Sequence, residues 1–501
     1  MKPILHQLEI QNNKDGMSYI IQAEDGIIVI DGALTTDAEY LVNYLKKITG
    51  LERPCVDLWF LSHAHPDHTF CLMEVGSKYS DEIIVKKVVY HFPYTELLSK
   101  LQPAAVKEVE EMERAIDNLN GVERVIPRRG DVFEFEGLKL EVLFTWEDMG
   151  EYYDKKYNIN DTSTVIRLTV DGQKIIFLGD ASAAADKYMV DIYGEEELKS
   201  DVVQVAHHGG FGSTAEFYKI LDPKFLLWPL RRARFDFFNT IVKANRVLLD
   251  GTIGIKDIFL SGNGTMAIPL PIQEREEPFL PGLPEPDLNA EPEGWIACAD
   301  LAPNVDDPDD PAWLQAEEES FFIQKKPIYG GSPTRRMLWK DDRLYLKVGF
   351  YEGAPRYHSL KTSSLDSTCL SVFLSESSVT DQYADWADIS EGTALNSLKL
   401  YPDVKITDGE HTKMLLRGTD REELLKICKM KAVSFDGGFC ICAELKLSET
   451  KKSGDFVMLD MHVSIVEDDN PKRTGFFTLC GGDYWKYVPV KPVLMKKWGL
   501  K

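Results

Sequence analysis

Apolar positions divide the chain into two regions with different spacing. In the first region, short apolar runs alternate with stretches whose apolar positions recur at helical spacing. Residues 103–118 form the clearest such stretch, a charged segment with Val106, Val109, Met112 and Ile116 on one face. Strands that alternate with helices in this way are typical of an α/β domain. The predicted strands are residues 4–10, 18–23, 26–31, 55–61, 83–90, 138–144, 164–170, 174–178, 202–205, 225–227 and 264–270, and the predicted helices are residues 36–47 and 103–118.

The pattern changes after residue 267. Seven prolines fall among acidic residues between 269 and 292 and predict an extended linker over residues 268–294. From residue 295 the chain shows short alternating runs separated by Gly, Asp and Ser, which predict an antiparallel β-sandwich. We therefore predict an α/β domain at residues 1–267, the linker, and an all-β domain at residues 295–501.

The densest cluster of candidate chemistry follows the apolar run 55–61. Three of the chain's ten histidines, His63, His65 and His68, fall within six positions, together with Asp67. Because Pro66 interrupts regular structure, we expect these side chains on a loop that leaves a sheet. Packing imidazoles and a carboxylate together without a cation is costly. The spacing lets His63 and His65 turn to one metal ion, and Asp67 and His68 to a second.

His-x-His-x-Asp-His resembles the signature of the metallo-β-lactamase fold superfamily, and two later strand ends match that family as well. They are Gly179-Asp180 and His207-His208-Gly209. The resemblance implies a four-layer αββα sandwich in which Asp180 bridges two metal ions and His207 completes the second one. It also makes Asp31, at the end of an earlier strand, the residue that holds the histidine loop by hydrogen bonds.

Within that superfamily, the segment 158–164 resembles the branch that contains competence (DNA-internalisation) domains and phosphorylcholine esterases. Most members supply a further histidine between the first loop and the bridging aspartate, whereas here that interval holds only His91, which follows a strand too closely to match. In the resembling branch, the segment stands in place of that histidine. Asp161 is then a candidate ligand of the first metal, and Asn160 and Ser163 are candidate substrate contacts; an ordinary turn is the alternative.

One element of the competence branch is missing. That branch carries a Gly-His-Pro sequence before its last helix, and here the corresponding stretch contains Arg231, Arg232 and Arg234 but no histidine. These arginines are candidates for holding an anionic substrate group. The alternative is a solvated basic patch on an acidic protein.

The expected activity follows from the metals. A bound metal ion lowers the pKa of water from 15.7 to about 7, so a hydroxide held between two ions would attack a carbonyl or phosphoryl centre. Asp67 and Asp180 are expected to orient it, and His208 either delivers a proton or is only a neighbour. We therefore predict a hydrolase of a phosphodiester or another small ester with two divalent ions, zinc first and manganese or iron as alternatives. The other readings are a non-enzymatic carbohydrate-binding protein and a nuclease.

The all-β region resembles family-nine carbohydrate-binding modules through residues 310–314, 339–346 and 459–475, in that order along the chain. Modules of this kind bind sugars with exposed aromatic faces. The resemblance therefore makes Trp485, Tyr484 and Trp386 candidates for glycan binding, and aromatic core packing is the alternative.

Composition and charge limit the kinds of partner and the location that we expect for this protein. The net charge of −24 and pI near 4.9 argue against nucleic-acid binding. No apolar run reaches the roughly 20 residues of a membrane span, and the first residues lack the apolar core of a signal peptide. The eight cysteines form no CxxC pair and indicate reduced thiols, so we expect a cytoplasmic protein without a membrane partner. The sequence leaves the oligomeric state open.

Overall fold

The computed structural model divides the chain into two compact units, Met1–Pro284 and Glu285–Lys501. It describes residues 2–11, 14–149, 158–239, 242–283, 292, 294–325, 333–351, 369–375, 397–402, 412–416, 428–435, 438–466, 473–479 and 496–501. The boundary between the units falls inside the proline-rich stretch.

The first unit alternates strands and helices as the sequence predicts. Its elements are β1 (Ile4–Gln7), β2 (Ser18–Gln22), β3 (Ile27–Asp31), α1 (Ala38–Thr49), β4 (Cys55–Val56), β5 (Leu58–Phe60), α2 (Pro66–Lys78), β6 (Ile84–Val85), β7 (Lys87–Val89), α3 (Thr95–Leu101), α4 (Pro103–Asp117), β8 (Glu123–Val125), β9 (Val132–Phe135), β10 (Leu138–Phe144), β11 (Val165–Val170), β12 (Gln173–Phe177), α5 (Ala183–Leu198), β13 (Val202–Gln204), α6 (Ala215–Leu221), β14 (Phe225–Trp228), α7 (Arg232–Phe238), α8 (Lys243–Leu249), β15 (Asp257–Leu260) and β16 (Met266–Pro269).

Two seven-stranded mixed sheets form the centre of this unit. The first runs β16-β1-β2-β3-β5-β7-β8, and the second runs β15-β14-β13-β12-β11-β10-β9. In β3, Ile28 and Ile30 pack into the core between the sheets, whereas Val29 faces α1, α2 and α4 on the outside. In β12, Ile175 and Phe177 belong to the same inter-sheet core. The unit is therefore an α/β sandwich with mixed sheets.

The histidine segment differs from its expected form in one respect. We predicted that all four polar side chains would lie on a loop, but Pro66 is the first residue of α2, so Asp67 and His68 belong to its first turn. Proline is well tolerated there, because the first helical N–H groups have no partner inside the helix. The helix therefore fixes the direction in which Asp67 and His68 point.

The second unit is built from strands. They are β17 (Gly294–Cys298), β18 (Glu319–Ser320), β19 (Phe322–Lys325), β20 (Thr334–Lys340), β21 (Arg343–Tyr351), β22 (Cys369–Ser375), β23 (Ser397–Pro402), β24 (Thr412–Leu416), β25 (Cys428–Phe435), β26 (Gly438–Lys446), β27 (Phe456–Val466), β28 (Arg473–Thr478) and β29 (Lys496–Leu500).

The strands of the second unit pair antiparallel, with the exception of β17. This strand runs parallel to β29 over its first three residues and parallel to β20 over its last two, and so it joins the two halves of the strand network. One core cluster takes Leu346 and Ile441 from one half and Leu459 and Met461 from the other. The predicted all-β region is thus present, with one parallel strand that periodicity did not predict.

Among the helices of the described residues, none has the length and apolar composition that a membrane span needs.

Close packing of α2 against α4 depends on Gly76. A Cβ atom at this position would overlap the carbonyl oxygen of Ala115 in α4. We expect Gly76→Ala to lower the free energy of unfolding by about 1–3 kcal/mol, although alanine favours helices by roughly 1 kcal/mol. Urea unfolding followed by tryptophan fluorescence measures the change. Ser77→Ala, at the exposed next position, is the control; an equal effect of both variants would contradict the prediction.

Candidate metal centre

The polar cluster lies where parallel strands of both sheets end. The chain reaches His63 and His65 after β5, Asp180 after β12, and His208 after β13. This is the edge at which α/β sheets place their binding sites, because the loops that follow parallel strands meet there. Residues far apart in sequence are thereby brought together.

Two triads of candidate ligands lie side by side. His63, His65 and Asp180 form the first, and Asp67, His68 and His208 form the second; within each, the ligand atoms lie within 4.8 Å of one another. Asp180 faces both triads, since its Oδ2 is 3.7 Å from His63 Nε2 and its Oδ1 is 3.2 Å from His68 Nε2. Asp180 thus lies between the two groups, as a bridging carboxylate would.

Several buried atoms of this cluster have no hydrogen-bond partner. They are His68 Nε2, His208 Nε2 and Asp180 Oδ1. Leaving such atoms buried and unpaired is costly, and three of them converge here. Imidazole nitrogens and a carboxylate oxygen are ligands that zinc and similar ions accept. The residues therefore fit a pair of divalent ions.

Asp31 holds the histidine segment from below. This fully buried residue accepts hydrogen bonds from the Ser62 N–H (2.7 Å) and Ser62 Oγ (2.8 Å) with different oxygens, and its Oδ2 is 2.7 Å from His68 Nδ1. Because Asp31 occupies His68 Nδ1, the ring directs its other nitrogen, Nε2, toward the centre. This is the location that the sequence predicts for Asp31.

Gln102 fixes the orientation of the His65 ring, as Asp31 does for His68. We did not predict this role from the sequence. Its Oε1 lies 3.0 Å from His65 Nε2, so that nitrogen donates and Nδ1 remains directed at His63 Nε2, 2.9 Å away. Gln102 lies between α3 and α4, 37 positions from His65 along the chain. No local pattern connects the two residues, and only the packing of the helices brings them together.

Asp180 is held through its backbone. Ser163 Oγ accepts from the Asp180 N–H at 3.1 Å. The fully buried Ser163 therefore supports the candidate metal ligand Asp180. We had predicted a substrate contact for Ser163, with an ordinary turn as the alternative. Gln204 Oε1 accepts from the N–H groups of Leu178 and Gly179, both at 2.8 Å, and its Nε2 donates to Gly179 O and Val205 O. This glutamine in the otherwise apolar strand β13 was a sequence signal that we had not used.

The structure brings His208, and not His207, into the second triad. His208 Nε2 is 3.4 Å from Asp67 Oδ2, and its Nδ1 donates to the Pro229 carbonyl at 2.9 Å. His207 Nε2 lies 3.8 Å from Asp180 Oδ2, and its side chain is 30% exposed. We had expected His207 to complete the second metal site and His208 to deliver a proton or to be only a neighbour; the geometry instead groups His208 with Asp67 and His68.

The backbone explains that exchange. His207, His208 and Gly209 have φ values of 50°, 54° and 82°, a left-handed run that two non-glycine residues adopt only when their surroundings hold them there. The Trp228 Nε1–H donates to His208 O at 3.0 Å, and its ring fills the space that a Cβ on Gly209 would need. This turn directs the second histidine, instead of the first, toward Asp67.

Asp161 does not lie at the centre. Its Oδ2 accepts from the Asn158 N–H (2.8 Å) and its Oδ1 from Ser182 Oγ, so it closes the turn and links it to the start of α5. The neighbouring Asn160 is the residue that faces the centre: its Nδ2 is 3.4 Å from His207 Nε2, and its Oδ1 is buried without a partner. The tentative ligand role of Asp161 therefore lacks support from this geometry. His91 packs on Trp146 and is in neither triad.

The three arginines have different surroundings. Arg234 pairs with Asp15 and stacks on Phe238, and Arg231 Nε lies 3.3 Å from the same carboxylate. Arg232 pairs with Asp236 at 3.0 Å. The aromatic candidates Trp485, Tyr484 and Trp386 lie outside the described residues.

The charged groups of the cluster shift one another's pKa values. Burial alone would lower the pKa of His68, but Asp180 and Asp31 raise it well above its ordinary value. Burial would likewise raise the pKa of Asp180, but His68, His208 and His207 hold it well below its ordinary value. Burial lowers the pKa of His63 well below its ordinary value. A metal ion requires anionic carboxylates and neutral imidazoles, so Asp180 and His63 favour the required states, whereas binding at His68 would release a proton.

Comparison with known proteins finds one matching family model and distant relatives. Residues 13–226 match the family model of the metallo-beta-lactamase superfamily. ComE operon protein 3 of Bacillus subtilis (strain 168) is 28% identical over 170 residues, which covers 34% of this chain and 19% of that protein. The match thus spans about a fifth of that relative's length.

Two solved structures are also similar. The metallo-beta-lactamase fold protein YhfI from Bacillus subtilis is 14% identical with a TM-score of 0.33, covering 52% of this chain and 99% of YhfI. A family 9 carbohydrate-binding module from Caldicellulosiruptor kristjanssonii, solved with cellotriose, is 14% identical with a TM-score of 0.31, covering 42% of this chain and 93% of the module. Identities and TM-scores this low say nothing about a shared function.

The contact between Gln102 and His65 predicts an effect on metal affinity. Gln102→Leu removes the acceptor that fixes the His65 ring, and we expect the affinity of the first triad to fall by about 10-fold or more. Gln102→Glu keeps an acceptor oxygen and is the matched control. Competition with a chromophoric chelator measures the affinity of both variants. Equal affinities in Gln102→Leu, Gln102→Glu and the unmodified protein would contradict the assignment.

Asp186 in α5 predicts a pH dependence of stability. Burial raises its pKa from 3.8 to about 7, although its Oδ2 accepts from the Thr214 N–H at 2.7 Å. Between about pH 4 and pH 7 the folded chain therefore holds a proton that the unfolded chain has lost, so this carboxyl lowers stability as the pH rises.

Asp186→Asn cannot ionise and should be more stable than the unmodified protein near pH 8, with the difference fading toward about pH 4. Urea midpoints across this pH range measure the difference. Asp191→Asn, at an exposed position of the same helix, should show no such trend. A pH-independent difference for Asp186→Asn would contradict the assignment.

Proposed function

We propose that the chain, whose residues 13–226 match the family model of the metallo-beta-lactamase superfamily, is a metal-dependent hydrolase of a phosphodiester or another small ester. The observation that carries the proposal is the set of buried, unpaired atoms on His68, His208 and Asp180. An enzyme that had lost its metal ions would gain nothing from keeping these atoms unsatisfied. Zinc suits the nitrogen-rich ligands best, and manganese and iron are the alternatives.

Each triad would hold one ion. His63 and His65 would bind the first through Nε2 and Nδ1, since Gln102 occupies the other nitrogen of His65. His68 and His208 would bind the second through Nε2, since Asp31 and Pro229 occupy their Nδ1 atoms. Divalent ions bound at these places would supply Lewis acidity and would lower the pKa of water to about 7.

The chain's own residues would then orient the reactants. Asp67 and Asp180 present carboxylate oxygens to the centre, where they accept a proton or a hydrogen bond. Among the described residues, His63, His65 and Asp180 make up the first triad, which leaves a position for substrate. Asn160 and the partly exposed His207 lie at this side, and we assign them contact with the substrate or its leaving group.

Two alternative functions and the expected location belong with this proposal. A nuclease role is opposed by the net charge of −24, which repels nucleic acid. Sugar binding by the second unit stays a prediction from the sequence, because its aromatic candidates lie outside the described residues. A cytoplasmic location stays a proposal that the six described cysteines, all free thiols, support.

Metal content and hydrolysis test the function together. We expect two divalent ions per chain, and turnover of one among bis-p-nitrophenyl phosphate, p-nitrophenyl phosphorylcholine and a simple acetate ester. His65→Ala and Asp180→Ala should lower kcat/KM by about 100-fold or more, because charge stabilisation at the reacting centre is lost. Extraction of the ions with a chelator should do the same, and added zinc should restore turnover.

His91→Gln is the control, since His91 belongs to the same unit but to neither triad. A single ion per chain would mean that three protein ligands do not hold the first ion. Absence of bound metal and of turnover on all three substrates would overturn the hydrolase proposal.

A further inference from the structure

A cavity of about 270 Å³ lies at the same edge of the sandwich as the metal centre. It is lined by Glu9, Ile10, Lys14, Arg231, Arg232, Ala233, Ser261 and Gly262. Lys14, Arg231 and Arg232 are cationic and Glu9 is anionic. With the paired residues Arg234, Asp15 and Asp236 included, the group holds four cations and three carboxylates, a small positive excess on a chain with a net charge of −24.

The walls of the cavity connect directly to metal-ligand residues. On one side, the Met17 N–H donates to Asp67 O at 3.1 Å, and Lys14 lies three residues earlier on the same loop. On the other side, Pro229 O accepts from His208 Nδ1 at 2.9 Å, and Arg231 follows two residues later. Because two residues span at most about 7 Å, Arg231 begins close to the second triad.

Local packing holds Arg231 in place and leaves donors available. Its Nε lies 3.3 Å from Asp15 Oδ1, but neither atom makes a hydrogen bond in the described structure. The other oxygen of Asp15 pairs with Arg234. Since Arg231 faces Asp15 without a hydrogen bond to it, its charge is only partly compensated, which favours a further anion.

Gly262 allows the arginine segment to lie close to the end of β15. A Cβ at Gly262 would overlap the backbone of Arg231 and Arg232, and the Gly262 N–H donates to Leu230 O at 3.0 Å. Ser261, next to it, lines the cavity while its hydroxyl donates to Leu230 O at 3.4 Å. The cavity thus combines a rigid floor with cationic side chains from two separate loops.

We propose that this cavity binds a second phosphoryl group of the substrate, away from the bond that the metal centre breaks. The inference rests on the proposed function, since it describes the part of the substrate that does not react. The volume is below the roughly 300 Å³ of a typical complete ligand site, which suits one group of a larger molecule. Guanidinium groups bind phosphoryl oxygens with paired donors, and an ammonium group adds a point charge.

Calorimetric titration of the metal-loaded, full-length protein with inorganic phosphate tests the proposal without any turnover. Phosphate has two candidate sites, the metal centre and the cavity, and Asp180→Ala disrupts only the first. We expect Asp180→Ala to retain phosphate binding, and the added Arg231→Gln or Lys14→Gln change to weaken that binding about tenfold or more. Lys14 is exposed, so its variant stays informative if the arginine variant does not fold.

The control in the same background is Arg53→Gln, because Arg53 is an exposed arginine that donates to Ser80 O outside the cavity. Equal weakening by Arg53→Gln would indicate a general charge effect and overturn the proposal. Loss of all phosphate binding in Asp180→Ala alone would assign it to the metal centre, which overturns the cavity site but supports the metal proposal. If acetate binds as tightly as phosphate, the cavity does not select a phosphoryl group over a carboxylate, and the proposal is likewise overturned.

Discussion

The central constraint on the first unit is that the carboxylate of Asp180 is buried among imidazoles, which costs desolvation free energy. This carboxylate is 1% exposed and lies 3.2 Å from one histidine nitrogen and 3.7 Å from another. An ionised group at such depth requires compensating charge. The histidines around Asp180 hold its pKa well below its ordinary value, and two divalent ions would compensate the charge more completely and would satisfy the unpaired nitrogens. The requirement explains why so many hydrogen bonds fix the ligands.

These fixing contacts come from outside the cluster and set ring orientation. Asp31, Gln102 and the Pro229 carbonyl each occupy one nitrogen of a histidine, which leaves the other nitrogen free for the centre. Gln204 satisfies all four of its hydrogen-bonding positions at the ends of two neighbouring strands. The scaffold thereby holds the ligand geometry before any ion arrives, which lowers the entropy lost on binding.

The same edge of the sandwich combines two kinds of chemistry. The metal centre lies where the strands β5, β12 and β13 end, and the cationic cavity lies where β14 and β15 end. The Asp67 carbonyl and the Pro229 carbonyl tie the loops of both regions together. A substrate that reached from one region to the other would use a surface that no single loop forms.

The sequence by itself determined which residue types gather at the centre, because His63, His65, Asp67 and His68 are close neighbours and each later ligand ends an apolar strand. It also determined the change from an α/β region to a β region, because periodicity is a local property. Tertiary structure decided the rest. A left-handed turn that packs on Trp228 directs His208, and not His207, toward the second triad. Hydrogen bonds within its own turn hold Asp161 away from the centre. Helix packing places Gln102 beside His65. Such contacts join residues that are distant in sequence, or depend on backbone angles imposed by packing, and therefore leave no local pattern to read.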